Sequence, residues 1–422
     1  MTIVYKSSKL IKNINITNLF PYKYGKLWIV QVLLTSVLLL NSCTSTDRTS
    51  TSRGVDDIEV IEINIKGHFE EIKASEIFEP DFEVIKLETT DKSIFSVISD
   101  IQITDDLIFI CDVTTNRLFV FYRNGQFKKG LTQTGRGPGE FITASSFCIN
   151  EKDSLIFLYD NMQMKLLTYD FELNFIKESP VPFYAMKIGY INSNYLAFFT
   201  GQMKSQDKDY QYELIVVNEN MEIIEKLLPY PGFFNAIRGI ATAPLANYDG
   251  SYLYWNSFDN SVYQLDQNHN LSEKYRILNY KGFVFPDYNF YLERNNLASG
   301  QVADEIWEKG YIYSQEFLEN KNNILMVYHQ DGNHYTVINK KNMTQYHAKR
   351  LQDDFGLGLN LTKRSKPIYM ENKNCIYAIY YQDFEYINDT KTTPNHIFEN
   401  FSINDNPILV VLKLKKNPIE LN

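Results

Sequence analysis

A six-residue apolar pattern, repeated with decay along the chain, limits most what this sequence can fold into. Leu107-Ile108-Phe109-Ile110-Cys111-Asp112 is echoed downstream by Leu155-Ile156-Phe157-Leu158-Tyr159-Asp160. The match continues in register, with Arg117–Phe121 (RLFVF) against Lys165–Tyr169 (KLLTY) and Phe127 against Phe175. Weaker copies begin at Tyr195 (YLAFFT), Tyr252 (YLYWNS), Ile324 (ILMVYH) and Ile376 (IYAIYY). Each is followed by a polar turn and a second β-rich run, as at Glu213–Val217, Ser261–Leu265, Tyr335–Asn339 and Ile408–Leu414. From Leu107 to Ile376 the six copies have a mean spacing of about 54 residues, close to the period of propeller blades, which hold about four short strands each.

The physics of a blade agrees with this. A four-stranded blade has two apolar faces and is unstable alone, so neighbours stack face to face in a ring. The 30 Tyr, 28 Phe and 3 Trp, 14% of the chain, suit wedge-shaped interfaces between strand-rich layers. Only Gly300–Gly310 reads as a short helix. The expected fold is all-β: a six-bladed β-propeller. An open last blade would expose an unpaired edge, so the ring must be closed by the other chain end. Ile408–Leu414 is the third strand of the last blade, and the alternating Phe82–Glu88 is the expected fourth.

The first fifty residues carry an address. Residues 1–26 hold Lys6, Lys9, Lys12, Lys23 and Lys26 and no acid, and Leu27–Leu40 is apolar apart from Gln31, Thr35 and Ser36. That run is short for a membrane span and fits the apolar region of a secretory signal. It ends at Leu40-Asn41-Ser42-Cys43, which resembles a bacterial lipobox. An uncleaved short anchor is the alternative. The expected organisation is a lipoprotein signal peptide over 1–42, a flexible Ser/Thr tether over 43–57, and a propeller over 58–422 with its core at about 80–420. Lipidation at Cys43 implies membrane anchoring at the bacterial cell envelope, as an outer-membrane lipoprotein. Cys111, Cys148 and Cys375 sit in strand-like apolar runs without CxxC spacing, and read as small buried hydrophobes. A net charge of −9 argues against a nucleic-acid partner.

Two segments point to a family. Asn124-Gly125 followed by Gly135-Arg136-Gly137-Pro138-Gly139-Glu140-Phe141 resembles the "NGk…GrGPGEf" segment of six-bladed β-propeller lipoproteins of Bacteroidetes. Ile85-Lys86-Leu87-Glu88-Thr89-Thr90 resembles the "I-P-L-E-T" opening of that family, with Lys86 in place of Pro. Asp353-Asp354-Phe355-Gly356-Leu357-Gly358 is similar to its later "nDidgG" segment. The family is similar to NHL-repeat propellers. The resemblance implies an exported, anchored propeller and brings no catalytic set with it.

Candidate chemistry is sparse. Gly135–Gly139 lacks the spacing of a phosphate loop, and Pro138 removes a donor, so a blade-to-blade turn is preferred. In His329-Gln330-Asp331-Gly332-Asn333-His334, an Asp-Gly two-residue turn would put His329 opposite His334 on one hairpin face, as for a shared metal. No further ligand is indicated, and no metal or cofactor is expected. Trp307 with Tyr311 and Tyr313 is a candidate stacking platform, with packing the preferred reading.

If chain direction alternates within each blade, all long or chemically mixed loops emerge on one face. These are Gly135–Phe141, 229–246, 281–310, Asp353–Gly358, 201–210, 329–334 and 382–406. The expected site is the axial opening of that face, with Arg136, Glu140, Arg294, Trp307, His329, His334 and Asp354 as contributors. The expected function is non-catalytic: a monomeric ligand-binding or interaction module for an unknown glycan, peptide or envelope protein. The alternative is a glycan-directed hydrolase or lyase working in the axial channel.

Overall fold

The computed structural model describes residues 61–64, 71–112, 114–132, 134–200, 208–230, 245–248, 250–255, 261–278, 286, 288–294, 296–311, 314–329, 333–355, 369–371, 375–380, 402 and 404–416. The leader, Cys43 and the tether lie outside the described residues, as do most of 229–246 and 382–406. Beyond residue 60 the repeats become antiparallel sheets with strands in chain order. Sheet 1 is Ile98–Ile103, Leu107–Asp112, Arg117–Tyr122 and Phe127–Leu131. Sheet 2 is Ser146–Asn150, Leu155–Asp160, Lys165–Asp170 and Phe175–Pro180. Sheet 3 is Lys187–Asn192, Tyr195–Phe199, Tyr212–Asn218 and Ile223–Pro229. Sheet 4 holds Leu245–Tyr248, Ser251–Trp255, Ser261–Leu265 and Leu271–Leu278, and sheet 5 holds Ser314–Glu319, Asn323–His329, Asn333–Asn339 and Gln345–Ala348. Sheet 6 is Tyr369–Glu371, Cys375–Tyr380, Ile408–Lys413 and, from the other end of the chain, Glu83–Lys86.

The fold is an all-β propeller. The expectation of six four-stranded blades needs one correction: five sheets have that form, whereas sheet 4 is five-stranded. Its extra strand, Ile61–Asn64, runs parallel to Leu271–Leu278, pairing Ile61 with Tyr275 and Asn64 with Leu278. The chain then pairs Ile72–Lys73 with Leu351–Gln352, just beyond the outer strand of sheet 5. It turns through helix α1 (Ala74–Ile77) before entering sheet 6. Ile61–Asn64 and Ile72–Lys73 thus pair at the outer edges of two successive sheets before the chain enters a third, and no periodicity announced those two pairings. Helix α2 (Tyr288–Glu293) is a second unexpected short helix, and α3 (Ser299–Glu308) is the one expected at Gly300–Gly310.

The second strands are apolar runs because both of their faces are covered; every residue of Leu107–Asp112 is buried. Each interface between successive sheets has its own apolar cluster. Phe109 and Val120 of sheet 1 meet Phe147 and Leu158 of sheet 2. Cys148 and Tyr159 meet Ile188 and Phe198 of sheet 3, and Ala197 and Val216 meet Tyr252 and Leu265 of sheet 4. Leu253 and Val262 meet Phe317 and Met326 of sheet 5, and Leu325 and Val337 meet Val410 and Leu412 of sheet 6. The circuit ends where Tyr377 and Leu409 of sheet 6 meet Ile110 and Phe119 of sheet 1. Each Val, Leu, Ile, Phe or Met among them contributes roughly 1.5–3 kcal/mol when fully buried.

The hairpin between third and fourth strands repeats more faithfully than the sequence does. Gly125, Leu173, Met221 and His269 all take positive φ (87°, 60°, 63° and 55°), and the four positions are evenly spaced along the chain. In each, the N–H of the left-handed residue bonds the carbonyl of Tyr122, Asp170, Asn218 or Asp266, always the same step back in sequence. This is a turn with a bulge, which fixes the register of the outer strand.

Closure joins the two ends of the domain. Glu83–Lys86 pairs antiparallel with Ile408–Val411, as expected for Phe82–Glu88. The buried Asn406 amide locks the join: its Nδ2 donates to Glu88 O (2.8 Å) and Ser93 O (2.9 Å), its Oδ1 accepts from Phe95 N–H (2.9 Å), and its own N–H reaches Thr89 Oγ1 (2.7 Å). Asn406→Ala leaves buried partners unsatisfied and is expected to cost about 2–3 kcal/mol in urea unfolding. A loss below about 0.5 kcal/mol would contradict this role.

Candidate functional site

Chain direction divides the turns between two faces. The turns between second and third strands, and the connections from one sheet to the next, emerge on what we term the first face; the other two turns of each sheet emerge on the second. The innermost strands of sheets 1, 2 and 3 lie side by side, as do those of sheets 4, 5 and 6.

Two buried carboxylates organise the first face. Asp112 ends the second strand of sheet 1 and accepts from Val97, Thr114 and Thr115 N–H at 3.0, 3.0 and 3.1 Å, and from the Thr115 hydroxyl. Asp160 does the same in sheet 2, accepting from Ile142 N–H (2.6 Å), Met162 N–H (2.9 Å), Gln163 N–H (3.1 Å) and Thr143 Oγ1 (2.8 Å). Each carboxylate therefore ties a turn to the segment entering its own sheet. Burial alone would raise the Asp160 carboxyl; these hydrogen bonds outweigh it and hold the group below the ordinary aspartate value.

Below the rim, side chains bridge neighbouring inner strands. Ser146 Oγ donates to Asp100 Oδ2 (3.1 Å) and accepts from Ile188 N–H (3.2 Å), while Gln102 Nε2 donates to Phe147 O (3.0 Å). Cys148 lies in the same wall, where burial, with Asp100 adding to it, pushes its thiol well up and keeps it protonated.

At the rim, exposed apolar side chains stand among exposed polar ones such as Lys92, Ser96, Thr114 and Thr115. Val97 and Met186 occupy equivalent positions, each immediately before an innermost strand, and are 44% and 36% exposed. Met162, at the tip of the intervening sheet-2 turn, is 68% exposed. Ile94 is exposed in the connection entering sheet 1. Beside them Asn161 Nδ2 donates to Tyr184 Oη at 3.1 Å. Sheets 1–3 thus each contribute an exposed apolar side chain to the first face or to the segment entering it: Val97, Met162 and Met186.

Several of the residues singled out from the sequence are bonded within the fold. Glu140 is half-buried and folds back on its own loop, accepting from Gly137 N–H at 2.8 Å. A Cβ on Gly135 would come 2.0 Å from its Oε2, so the Glu140 side chain would have to shift to admit one. Tyr169 Oη donates to Gly139 O and Gln163 Nε2 to Gly135 O, so the GRGPGE segment staples sheet 1 to sheet 2. Arg136, on that first-face connection, is exposed.

Arg294 binds Glu305 (2.6 Å), Glu293 (3.2 Å) and Phe290 O (3.0 Å), tying α2 to α3. Asp354 accepts from Ser75 N–H (2.9 Å) and the Ser75 hydroxyl, which places it against α1 rather than the axis. The histidine pair is corrected by a one-step shift of register. His329 pairs with Asn333 and Tyr328 with His334, because the loop between the strands is 330–332 rather than a two-residue turn. Positions 329 and 334 therefore fall on opposite faces of the sheet rather than opposite one another; His334 is buried and stacked on Tyr328 at 5.2 Å. The Trp307 side chain lies outside the described residues, though the residue itself is in α3. Sequence reasoning missed Asp112 and Asp160, although both end the two best-matched repeats.

Residues 58–413 match a family described as a domain of unknown function, DUF4934. The chain belongs to that family. No curated protein matches the sequence. This DUF4934 member is similar in structure to a Bacteroides fragilis protein classed as exported, with a TM-score of 0.71 and 18% identity over 84% of this chain and 99% of that one. It is also similar to a DUF4221 member from Bacteroides vulgatus, with a TM-score of 0.45 and 11% identity over 80% and 97% of the two chains. A virginiamycin B lyase from Staphylococcus aureus aligns with a TM-score of 0.39 and 12% identity over 71% and 82%.

The Asp160 arrangement makes a pH-dependent prediction. Its folded pKa is depressed, so its stabilising contribution is present above the unfolded aspartate value of about 3.9 and is lost as pH falls through the folded value. Asp160→Asn should lower stability at pH 7 by about 1–3 kcal/mol and flatten the acid limb of the profile below about pH 4. Urea unfolding at several pH values reads both effects, and an unchanged acid limb would contradict the assignment.

Proposed function

We propose that this protein is a six-bladed, envelope-anchored propeller that binds a partner at the first-face opening of sheets 1–3 without transforming it. The exposed Val97, Met162 and Met186 carry the reading: three exposed apolar side chains held by buried staples are a preformed contact surface rather than a loose loop. Apolar side chains that include adaptable methionines suit a peptide segment or an envelope protein better than a fully polar glycan. The blade count is supported by sheet 4, whose own four strands match the other sheets once the added Ile61–Asn64 strand is set aside.

Outer-membrane anchoring through Cys43 is supported by the basic lead, the apolar run and the Ser42-Cys43 junction. The exported class of the similar Bacteroides fragilis protein agrees with it.

Two experiments test this. A peptide and glycan array probed with protein beginning at Cys43 should return ligands. Replacing Val97, Met162 and Met186 together by Asp should then weaken their capture at least about tenfold, with melting little changed, because all three sites are exposed. Undiminished capture would move the site elsewhere. For the anchor, radiolabelled palmitate should enter wild-type protein in cells and be absent from Cys43→Ala; equal labelling of both would refute it.

A further inference from the structure

The second face of sheets 4–6 carries a charge pattern opposite to that of the chain as a whole. Three segments meet there: the sheet-5 turns 320–322 and 340–344, and the end of the last strand at 415–416. They are bonded to one another. Lys340 N–H donates to Asn322 O (2.8 Å), Asn323 Nδ2 to Lys415 O (3.1 Å) and Asn339 Nδ2 to Lys416 O (3.3 Å). This brings Lys321, Lys340, Lys341, Lys415 and Lys416 together. Lys274 joins from the outer strand of sheet 4, where its Nζ lies 3.0 Å from the buried Glu319 carboxylate that Lys340 also binds.

Lys274 and Lys340 thus share one buried carboxylate, and Lys321, Lys341, Lys415 and Lys416 lie on the segments joined beside it, in a chain of net charge −9. Lys321, Lys341 and Lys416 are exposed and Lys415 half-exposed. Further along, Lys413 pairs with Asp81 and so adds nothing net. Such a concentration of like charge is unfavourable unless an anion faces it.

A second observation concerns where the chain enters the domain. The first described strand of the domain starts beside Lys274, with Ile61 in register with Tyr275. Cys43 precedes Ile61 by a stretch that can reach about 60 Å at most. Two weak membrane signals, an acyl anchor and a basic patch, act together where either alone is marginal.

We propose that the lysine surface formed by Lys321, Lys341, Lys415 and Lys416, with Lys274 and Lys340 behind it, docks on an anionic phospholipid leaflet. Docked so, the domain holds its first face away from the bilayer. The inference rests on the anchor reading for its membrane proximity, but the patch has its own readout.

Full-chain protein bound to phosphatidylcholine vesicles, with or without phosphatidylglycerol, would be treated with an amine-reactive label and mapped by mass spectrometry. Lys321, Lys341, Lys415 and Lys416 should be protected only in the anionic vesicles and released at high salt, while Lys92 on the first face labels equally in both. Replacing the four by Gln should cut partitioning of the Cys43→Ala chain onto anionic vesicles at least about tenfold, since each lysine near such a surface contributes about fivefold. Equal labelling of the four lysines in both vesicle types, or protection of Lys92 as well, would overturn the proposal. Failure of the anchor reading shows separately, as equal vesicle recovery of wild type and Cys43→Ala in neutral lipid.

Discussion

Every sheet in this domain depends on the pairing of Glu83–Lys86 with Ile408–Val411. A blade buries both faces only when both of its neighbours are present, so a ring with one gap exposes two apolar faces at once. Here the gap is closed by that short ladder, the clustered side chains around Tyr377 and Leu409, and the Asn406 amide. The Gly125 turn adds a tight fit: a Cβ there would come 2.1 Å from Lys86 O, and Gly125 O accepts from Glu88 N–H. Closure is therefore sequence-specific at the backbone level as well as apolar, which sets which strand can occupy the last position.

The segments that most resemble the propeller lipoproteins turn out to be joints between blades. The NG turn meets the strand carrying the Ile85–Glu88 motif, and GRGPGEF seals sheet 1 to sheet 2 with Phe141 wholly buried. Their glycines answer to a neighbouring carbonyl or carboxylate and to positive φ, not to a ligand. Such motifs identify an architecture while leaving function free to vary on the rims, where Val97, Met162 and Met186 sit.

Much of this was legible in the sequence, for reasons that are local. Apolar runs at regular spacing marked the second and third strands of each sheet, and alternation marked the closing strand. The turn length at 330–332 was not legible, because Asp331-Gly332 suits two hairpins whose registers differ by a single step, and that difference moved His334 to the other face. Nor were the equivalent turn positions beyond Gly125: Leu173, Met221 and His269 are poor predictors of left-handed backbone, and only the framework around them imposes it. The pairings of Ile61–Asn64 and Ile72–Lys73 were missed because short segments paired one strand at a time carry no period. The partners of Arg294, Glu140 and Asp354, expected as contributors at the axial opening, were not legible because a sequence does not reveal the nearby carboxylate, loop or helix that bonds them.

The closing strand also has a consequence in time. Lys86 must wait for Ile408, a partner from the far end of the chain, before its ladder can form. During synthesis the early sheets can assemble pairwise, but Glu83–Lys86 stays without its partner until the last repeat has left the ribosome. The domain thus carries a built-in check on completeness: a chain truncated anywhere before Ile408 keeps an open seam, and so remains recognisable to proteases and holdases as unfinished.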